Sequence, residues 1–282
     1  MKALLLPLLL LSGATARAAD SGLPPNWTEP MAPVELFDGV YWVGTEGLGA
    51  YLFTSPEGHV LLDVGMPQSA GDVMASIESF GFAVEDIRYL LNTQAHFDHS
   101  GGLAAVKAAS GAAMLASEGD RYSLEEGVYE GWESRQEFDF PPVAVDRVLE
   151  DGEVVRVGDV TLTAVMTPGH SPGCTSWAFT ARQGDAEYRA LVFCSASVAA
   201  NRLAPDPQYP GIVEDYRKTF ERMKDLDVDV WLAPHAEQFD LHAKLAARTA
   251  GNPLAFVDPG EKDRHMAEFE RDFEAALAAQ QP

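Results

Sequence analysis

The sequence predicts a single α/β domain made of two similar halves. Three observations point there. Strand and helix patterns come in two successive sets, and each set ends in strand-then-helix pairs. No linker or low-complexity stretch divides the sets. Hydrophobic residues make up 46% of the 282-residue chain, enough to build one large core.

The first 18 residues stand apart. Met1 and Lys2 lead into a Leu-rich run broken by Pro7, and Ala16-Arg17-Ala18 closes a stretch of small residues. A basic start, a short apolar run and an Ala-x-Ala site describe a secretory signal peptide, removed from a mature domain over 19–282. The run is too short for a lasting membrane anchor. The expected location is periplasmic or secreted.

Residues 20–34 are rich in Pro and polar residues and read as an irregular arm. Strand patterns follow at 40–43, 50–54 and 60–63, separated by Gly-containing turns. Val73, Met74, Ile77 and Phe80 fall at helical spacing. A strand at 87–91, a helix at 101–110 and a strand at 112–116 complete the first set. Residues 117–142 alternate polar, acidic and aromatic residues and read as a loop with a partial helix. The second set has strands at 154–157, 161–165, 175–180 and 188–194. A helix at 212–224, a strand at 228–232 and helices at 239–249 and 262–279 end it.

There are 20 basic and 43 acidic residues, a formal net charge of −23. Such a surface repels nucleic acid and anionic lipid, which excludes both as partners. It also repels anionic small molecules, so a site for one must supply its own positive charge.

The decisive segment is Asn92-Thr93-Gln94-Ala95-His96-Phe97-Asp98-His99-Ser100-Gly101-Gly102. It joins the 87–91 strand to a helix, where α/β folds place their sites. Gln94, His96, Asp98 and His99 are all possible metal ligands. Spacing along an extended turn lets Gln94 and His96 serve one position while Asp98 and His99 serve another. Gly101 and Gly102 let the chain turn tightly into the helix. His170, in Thr167-Pro168-Gly169-His170-Ser171-Pro172-Gly173, and His235, in Leu232-Ala233-Pro234-His235, also follow strands. Three strand-end loops thus each offer histidine. His59, His242 and His265 lack that context and read as solvent-facing or structural.

Gln-Ala-His-Phe-Asp-His resembles the His-x-His-x-Asp-His signature of the metallo-β-lactamase superfamily, with glutamine in the first position. The resemblance covers nearly all of 19–282. Val43-Gly44-Thr45, Leu61-Leu62-Asp63, the 167–173 turn and Tyr209-Pro210-Gly211-Ile212-Val213-Glu214-Asp215-Tyr216-Arg217 are similar to the subclass B3 enzymes. The resemblance implies an αββα sandwich with its site at one edge of two sheets. It implies two zinc ions, one on Gln94, His96 and His170 and one on Asp98, His99 and His235. Many relatives, such as thioesterases and lactonases, carry a metal-bridging aspartate at the end of the strand after His170. Here that strand ends Val192-Phe193-Cys194-Ser195-Ala196-Ser197, without one. By the subclass B3 pattern, Ser195 and Ser197 bind the substrate carboxylate.

The implied reaction is zinc-dependent opening of the β-lactam ring of antibiotics. A metal-bound hydroxide attacks the carbonyl, and Asp98 ligates zinc, orients the hydroxide and passes a proton to the leaving nitrogen. The expected enzyme is a monomer acting on a small-molecule substrate. The amide of Gln94 is a weaker ligand than imidazole, so the first position should hold zinc less tightly. On this fold Cys174 and Cys194 fall on neighbouring strands near the metal edge, and a Cys174–Cys194 disulfide is expected. Zinc ligation by Cys194 is the alternative, ranked lower because Asp98, His99 and His235 already supply three ligands. Asp63 reads either as a group orienting a ligand histidine or as a strand-end cap. The pocket walls are expected from 43–48 and 118–142. The rival readings are a lactone or thioester hydrolase on the same scaffold, and a non-catalytic exported zinc-binding protein.

Overall fold

The computed structural model describes residues 22–281. The expected signal peptide and its cleavage point lie outside the described residues.

Two sheets carry the fold. Strands β1 (Val34–Phe37), β2 (Val40–Trp42), β3 (Tyr51–Ser55) and β4 (Gly58–Leu62) form an antiparallel run. Strands β5 (Ile87–Leu91), β6 (Ala113–Ser117) and β7 (Arg147–Leu149) add to it in parallel. In the second sheet β8 (Val154–Val157), β9 (Val160–Met166), β10 (Thr175–Gln183) and β11 (Ala186–Val192) are antiparallel, and β12 (Val230–Leu232) joins β11 in parallel. Each half is therefore an antiparallel run extended by a parallel crossover. That is the two-half organisation the sequence predicts.

Helices α1 (Ala70–Ser79), α2 (Phe97–Ser100), α3 (Leu103–Ser110) and α4 (Glu118–Glu126) follow strands of the first half. Helices α5 (Ile212–Lys224), α6 (Leu241–Thr249) and α7 (Glu261–Gln280) belong to the second. Strand periodicity explains the layering. On β3 and β4, Tyr51, Phe53, Val60 and Leu62 join the core shared with the second sheet, while Leu52 and Leu61 face the core under α1 and α3. Phe53 meets Phe179 edge-on across the sheets, with ring centroids 5.0 Å apart. Residues Tyr216 and Phe220 of α5 pack on Phe273 of α7 beneath the second sheet. The order is helix, sheet, sheet, helix, an αββα sandwich.

Several boundaries differ from the sequence expectation. β1 and β7 were not expected, being four and three residues long, too short to show a period. The 117–142 segment contains a full helix, α4, ended by Gly127 in the left-handed conformation. The helix expected over 239–249 is split. A 3-10 turn at Ala236–Phe239 precedes α6, because Asp240 between them takes a left-handed φ of 53°. β11 stops at Val192, so Phe193 to Ser197 run on as irregular chain across the site edge.

Register aligns the strand ends. Leu62 pairs with Leu91, Leu91 with Leu115, and Val192 with Leu232. The segments leaving these strands therefore meet at one edge. There the Thr175 amide donates to the Thr93 carbonyl at 2.8 Å, tying the two sheets together.

Candidate metal centre

The loop after β5 enters α2 through an extended His96 and turns into α3 at Gly101 and Gly102. A Cβ on Gly102 would lie 2.5 Å from the Val64 side chain, so only glycine lets α3 pack this closely on the segment after β4. Gln94, His96, Asp98 and His99 are all buried. The β9–β10 turn brings in His170, and the chain after β12 brings in His235. Three separate loops thus meet at this edge.

Asp98, His99 and His235 form the tighter group. Nε2 of His99 lies 3.2 Å from Oδ2 of Asp98, and Nε2 of His235 lies 3.4 Å from the same oxygen. The two Nε2 atoms are 3.2 Å apart. These separations match the edges of a tetrahedron of zinc ligands, about 3.3 Å for bonds of about 2.0–2.1 Å. The second group centres on His96 and His170, whose rings lie 4.8 Å apart. The Gln94 side chain is buried two residues before His96, and its Oε1 has no hydrogen-bond partner among the described residues. A buried carbonyl oxygen without a donor is costly unless a cation faces it. Asp98, His99 and His235 offer one carboxylate and two imidazoles within 4.8 Å of one another, a donor set that fits a metal ion.

Electrostatics differ between the groups. Burial works against ionisation of Asp98, yet His99 and His235 outweigh it and hold the carboxyl well below its ordinary value. Burial also opposes charge on His99, but Asp98 and Asp63 prevail and raise its pKa to about 10. Burial and then neighbouring His170 push His96 well below the ordinary value. Burial brings His170 down to about 4. Its Nδ1 sits 2.7 Å from the Ser197 carbonyl, which fixes the tautomer and leaves Nε2 free as a ligand atom.

Asp63 is fully buried with a left-handed φ of 58°. Its carboxylate accepts the Thr93 amide at 2.7 Å and the Thr93 hydroxyl at 2.6 Å, and lies 3.6 Å from Nδ1 of His99. It caps the chain after β5 and stands beside His99. Ser195 is buried, and its hydroxyl is 3.1 Å from that of the half-buried Ser197. Ser197 Oγ in turn is 3.3 Å from Nδ1 of His170. Ser197 therefore stands beside His170, and Ser195 beside Ser197. Cys174 and Cys194 form the expected disulfide, with Cα atoms 5.9 Å apart. It ties the chain after His170 to the chain before Ser195, and its sulfurs are not available as ligands.

The three remaining histidines stand away from the centre. His59 is buried against Phe82, and His265 stacks on Trp231. The half-exposed His242 pairs with the Glu46 carbonyl.

The site shape was only partly expected. Tyr129 and Phe138, from 118–142, do reach it, and Tyr129 stacks on His96 with ring centroids 3.8 Å apart. The 43–48 loop is mostly buried beneath the N-terminal arm. The Gly47 amide donates to the Asn26 carbonyl, and the Thr45 hydroxyl donates to the Trp27 carbonyl. Trp27 then lies against His235, with centroids 5.3 Å apart. Sequence reading missed Trp27, although an isolated tryptophan in a polar arm was its one available signal. It also missed Asp120 and Asn201, because neither lies in a motif.

The Metallo-beta-lactamase superfamily matches residues 50–235, from the start of β3 to His235. The chain belongs to the metallo-beta-lactamase superfamily. Among solved members it resembles BJP-1, a subclass B3 metallo-beta-lactamase of Bradyrhizobium japonicum. That match has 45% identity and a TM-score of 0.88, over 91% of this chain and 97% of that one. It also resembles the metallo-beta-lactamase FEZ-1 of Legionella gormanii, with 31% identity and a TM-score of 0.86, over 90% of this chain and 98% of that one. A hydroxyacylglutathione hydrolase of Methylococcus capsulatus is 26% identical over 180 residues, which are 64% of this chain and 59% of that protein. The chain thus spans about three fifths of that relative's length. As a member of this superfamily the chain has the metallo-hydrolase fold. Among the described residues no helix is long and apolar enough to cross a membrane.

Proposed function

We propose that this protein is a subclass B3-like zinc β-lactamase, periplasmic or secreted, that opens the β-lactam ring of antibiotics. The observation that carries the substrate class is the near-complete match to a subclass B3 enzyme at 45% identity. The hydroxyacylglutathione hydrolase match is partial and more distant. The irregular chain after β11 supports the same choice, since Cys194-Ser195-Ala196-Ser197 carries no aspartate and puts Ser197 beside His170.

Gln94, His96 and His170 would hold one zinc ion, and Asp98, His99 and His235 a second. When bound, zinc polarises a carbonyl and makes a nucleophile of water near neutral pH. This also provides the positive charge that the acidic surface lacks. The chain's own groups do the rest. Asp98 is ionised and central, so it can orient water and carry a proton to the leaving nitrogen. His96 and His170 are held neutral, so their lone pairs are ready for metal at pH 7. Ser195 and Ser197 would receive the substrate carboxylate, with the Ser197 hydroxyl the more accessible. Trp27, Tyr129 and Phe138 would form apolar walls and exclude water.

The second reading is thioester hydrolysis, favoured by the hydroxyacylglutathione hydrolase likeness. A panel decides between them: a chromogenic cephalosporin, a carbapenem, a glutathione thioester and an acyl-homoserine lactone, each with the zinc-loaded protein. The β-lactams should give kcat/KM at least 100-fold above the thioester and lactone. A preference for the thioester would overturn the substrate class and keep the hydrolase. Tight zinc binding with turnover of none would favour an exported zinc-binding protein.

A further inference from the structure

We infer that Asn201 is a positioning residue that holds both imidazoles of the first metal position. The inference rests on the two-centre reading above. Asn201 lies on the irregular chain between β11 and α5 and is 3% exposed. A carboxamide that deeply buried needs its hydrogen bonds made. Its Oδ1 accepts the Tyr129 hydroxyl at 2.9 Å. Its Nδ2 donates to the His170 carbonyl at 2.8 Å and to the Tyr216 hydroxyl at 3.2 Å.

Each bond leads to a ligand ring. Tyr129 lies face to face on His96, tilted by only 15°. Fixing the Tyr129 hydroxyl therefore fixes the plane against which His96 rests. Tyr216 donates its hydroxyl to the Ser197 carbonyl at 2.7 Å. That same carbonyl receives Nδ1–H of His170 at 2.7 Å. Asn201 thus grips His170 twice, directly through its main chain and through Tyr216 and Ser197 at its ring. Among the described residues, the hydrogen bonds of the Asn201 side chain go to Tyr129, His170 and Tyr216 and to no group of the other position. The groups around the other position are Asp63 beside His99, and Trp27 and Glu237 beside His235.

One side chain therefore orders the two strong ligands of a position whose third ligand is a weak amide. Partners behind ligand groups set metal affinity by roughly 10–100-fold. Asn201→Ala should weaken one zinc-binding step by that factor and leave the other within about threefold. Tyr216→Phe keeps the ring packing, removes the shared hydroxyl and should weaken the same step by roughly tenfold.

The test is a zinc titration of the metal-free protein by calorimetry, repeated with cobalt(II) by absorption spectroscopy, with circular dichroism to confirm folding. The step belonging to the first position is the one that Gln94→His shifts. Selective weakening of that step supports the inference. Both steps unchanged, or both weakened alike in the two variants, overturns it. Should Asn201→Ala not fold, Tyr216→Phe decides by the same criteria. A wild-type chain that binds no zinc overturns this inference and the two-centre reading together. Two wild-type steps with unselective variants overturn only this one.

Discussion

At Asp98, His99 and His235 a buried carboxylate faces two imidazoles and favours their protonated forms, with His99 raised to about 10. At His96 and His170, burial disfavours charge, and His170 falls to about 4. The fold thus sets a charged position beside a neutral one at the same edge. A cation entering the charged position must displace protons but gains an anionic ligand. A cation entering the neutral position displaces none and meets two imidazoles and, by the assignment above, an amide. The difference teaches that similar strand-end loops can build unlike sites, because the local set of charges decides affinity and pH response.

The largest effect should come from removing the charge that distinguishes the two. Asp98→Asn keeps shape and discards the anion shared by His99 and His235. Loss of metal-assisted stabilisation is worth several kcal/mol, so kcat/KM should fall roughly a thousandfold or more. Steady-state hydrolysis at saturating zinc measures this. A fall below tenfold would mean that the charged position is not where the reaction is driven.

Next in size is the covalent tie behind both positions. Cys174 and Cys194 are 20 residues apart, and closing such a loop is worth about 3 kcal/mol in the unfolded-chain entropy picture. Cys174→Ser with Cys194→Ser should lower the unfolding free energy by about that amount in a urea titration. An unchanged midpoint would show that packing alone holds this edge.

Gln94→His should tighten the neutral position by roughly 10–100-fold and leave the charged one nearly unaltered. Calorimetry in buffers of different ionisation enthalpy adds a second readout. Near pH 7, filling the charged position should release protons and filling the neutral one should not. Equal proton release in both steps would erase the comparison.

A different effect, on the pH dependence of stability, concerns Asp120, which lies behind the neutral position. Its carboxylate accepts bonds from Asn92 at 2.8 Å, Ser171 at 2.8 Å and the Gly173 amide at 3.1 Å, joining two ligand loops. Burial raises its pKa to about 7, despite those bonds. The folded state therefore holds a proton that the unfolded chain has released from about pH 4 upward. Stability must fall as pH rises through that window. Relative to Asp120→Asn, the metal-free wild type should lose up to about 1.4 kcal/mol per pH unit between pH 4 and 7. A difference between the two that does not change with pH would show that Asp120 titrates normally.

The candidate ligands were legible in the sequence because most of them are local. Gln94, His96, Asp98 and His99 lie within six residues after an apolar strand, and His170 and His235 each follow a strand end. The two halves were legible from the order of strand and helix patterns. The disulfide followed once the fold was assumed. What was not legible depends on contacts across the chain. Trp27 reaches His235 over some 200 positions, and Tyr129 meets Asn201 over 72. Asp120 reads as one acid among many on α4 until its three partners are seen. The helix break at Asp240 needs a left-handed residue that no glycine announces.

The most direct measurement is hydrolysis of a chromogenic cephalosporin and a carbapenem by the purified protein, before a chelator, after it, and after zinc is restored. Turnover that disappears with the chelator and returns with zinc is the expected result. Turnover that survives complete metal removal, or none at all with both positions loaded, would contradict a zinc β-lactamase.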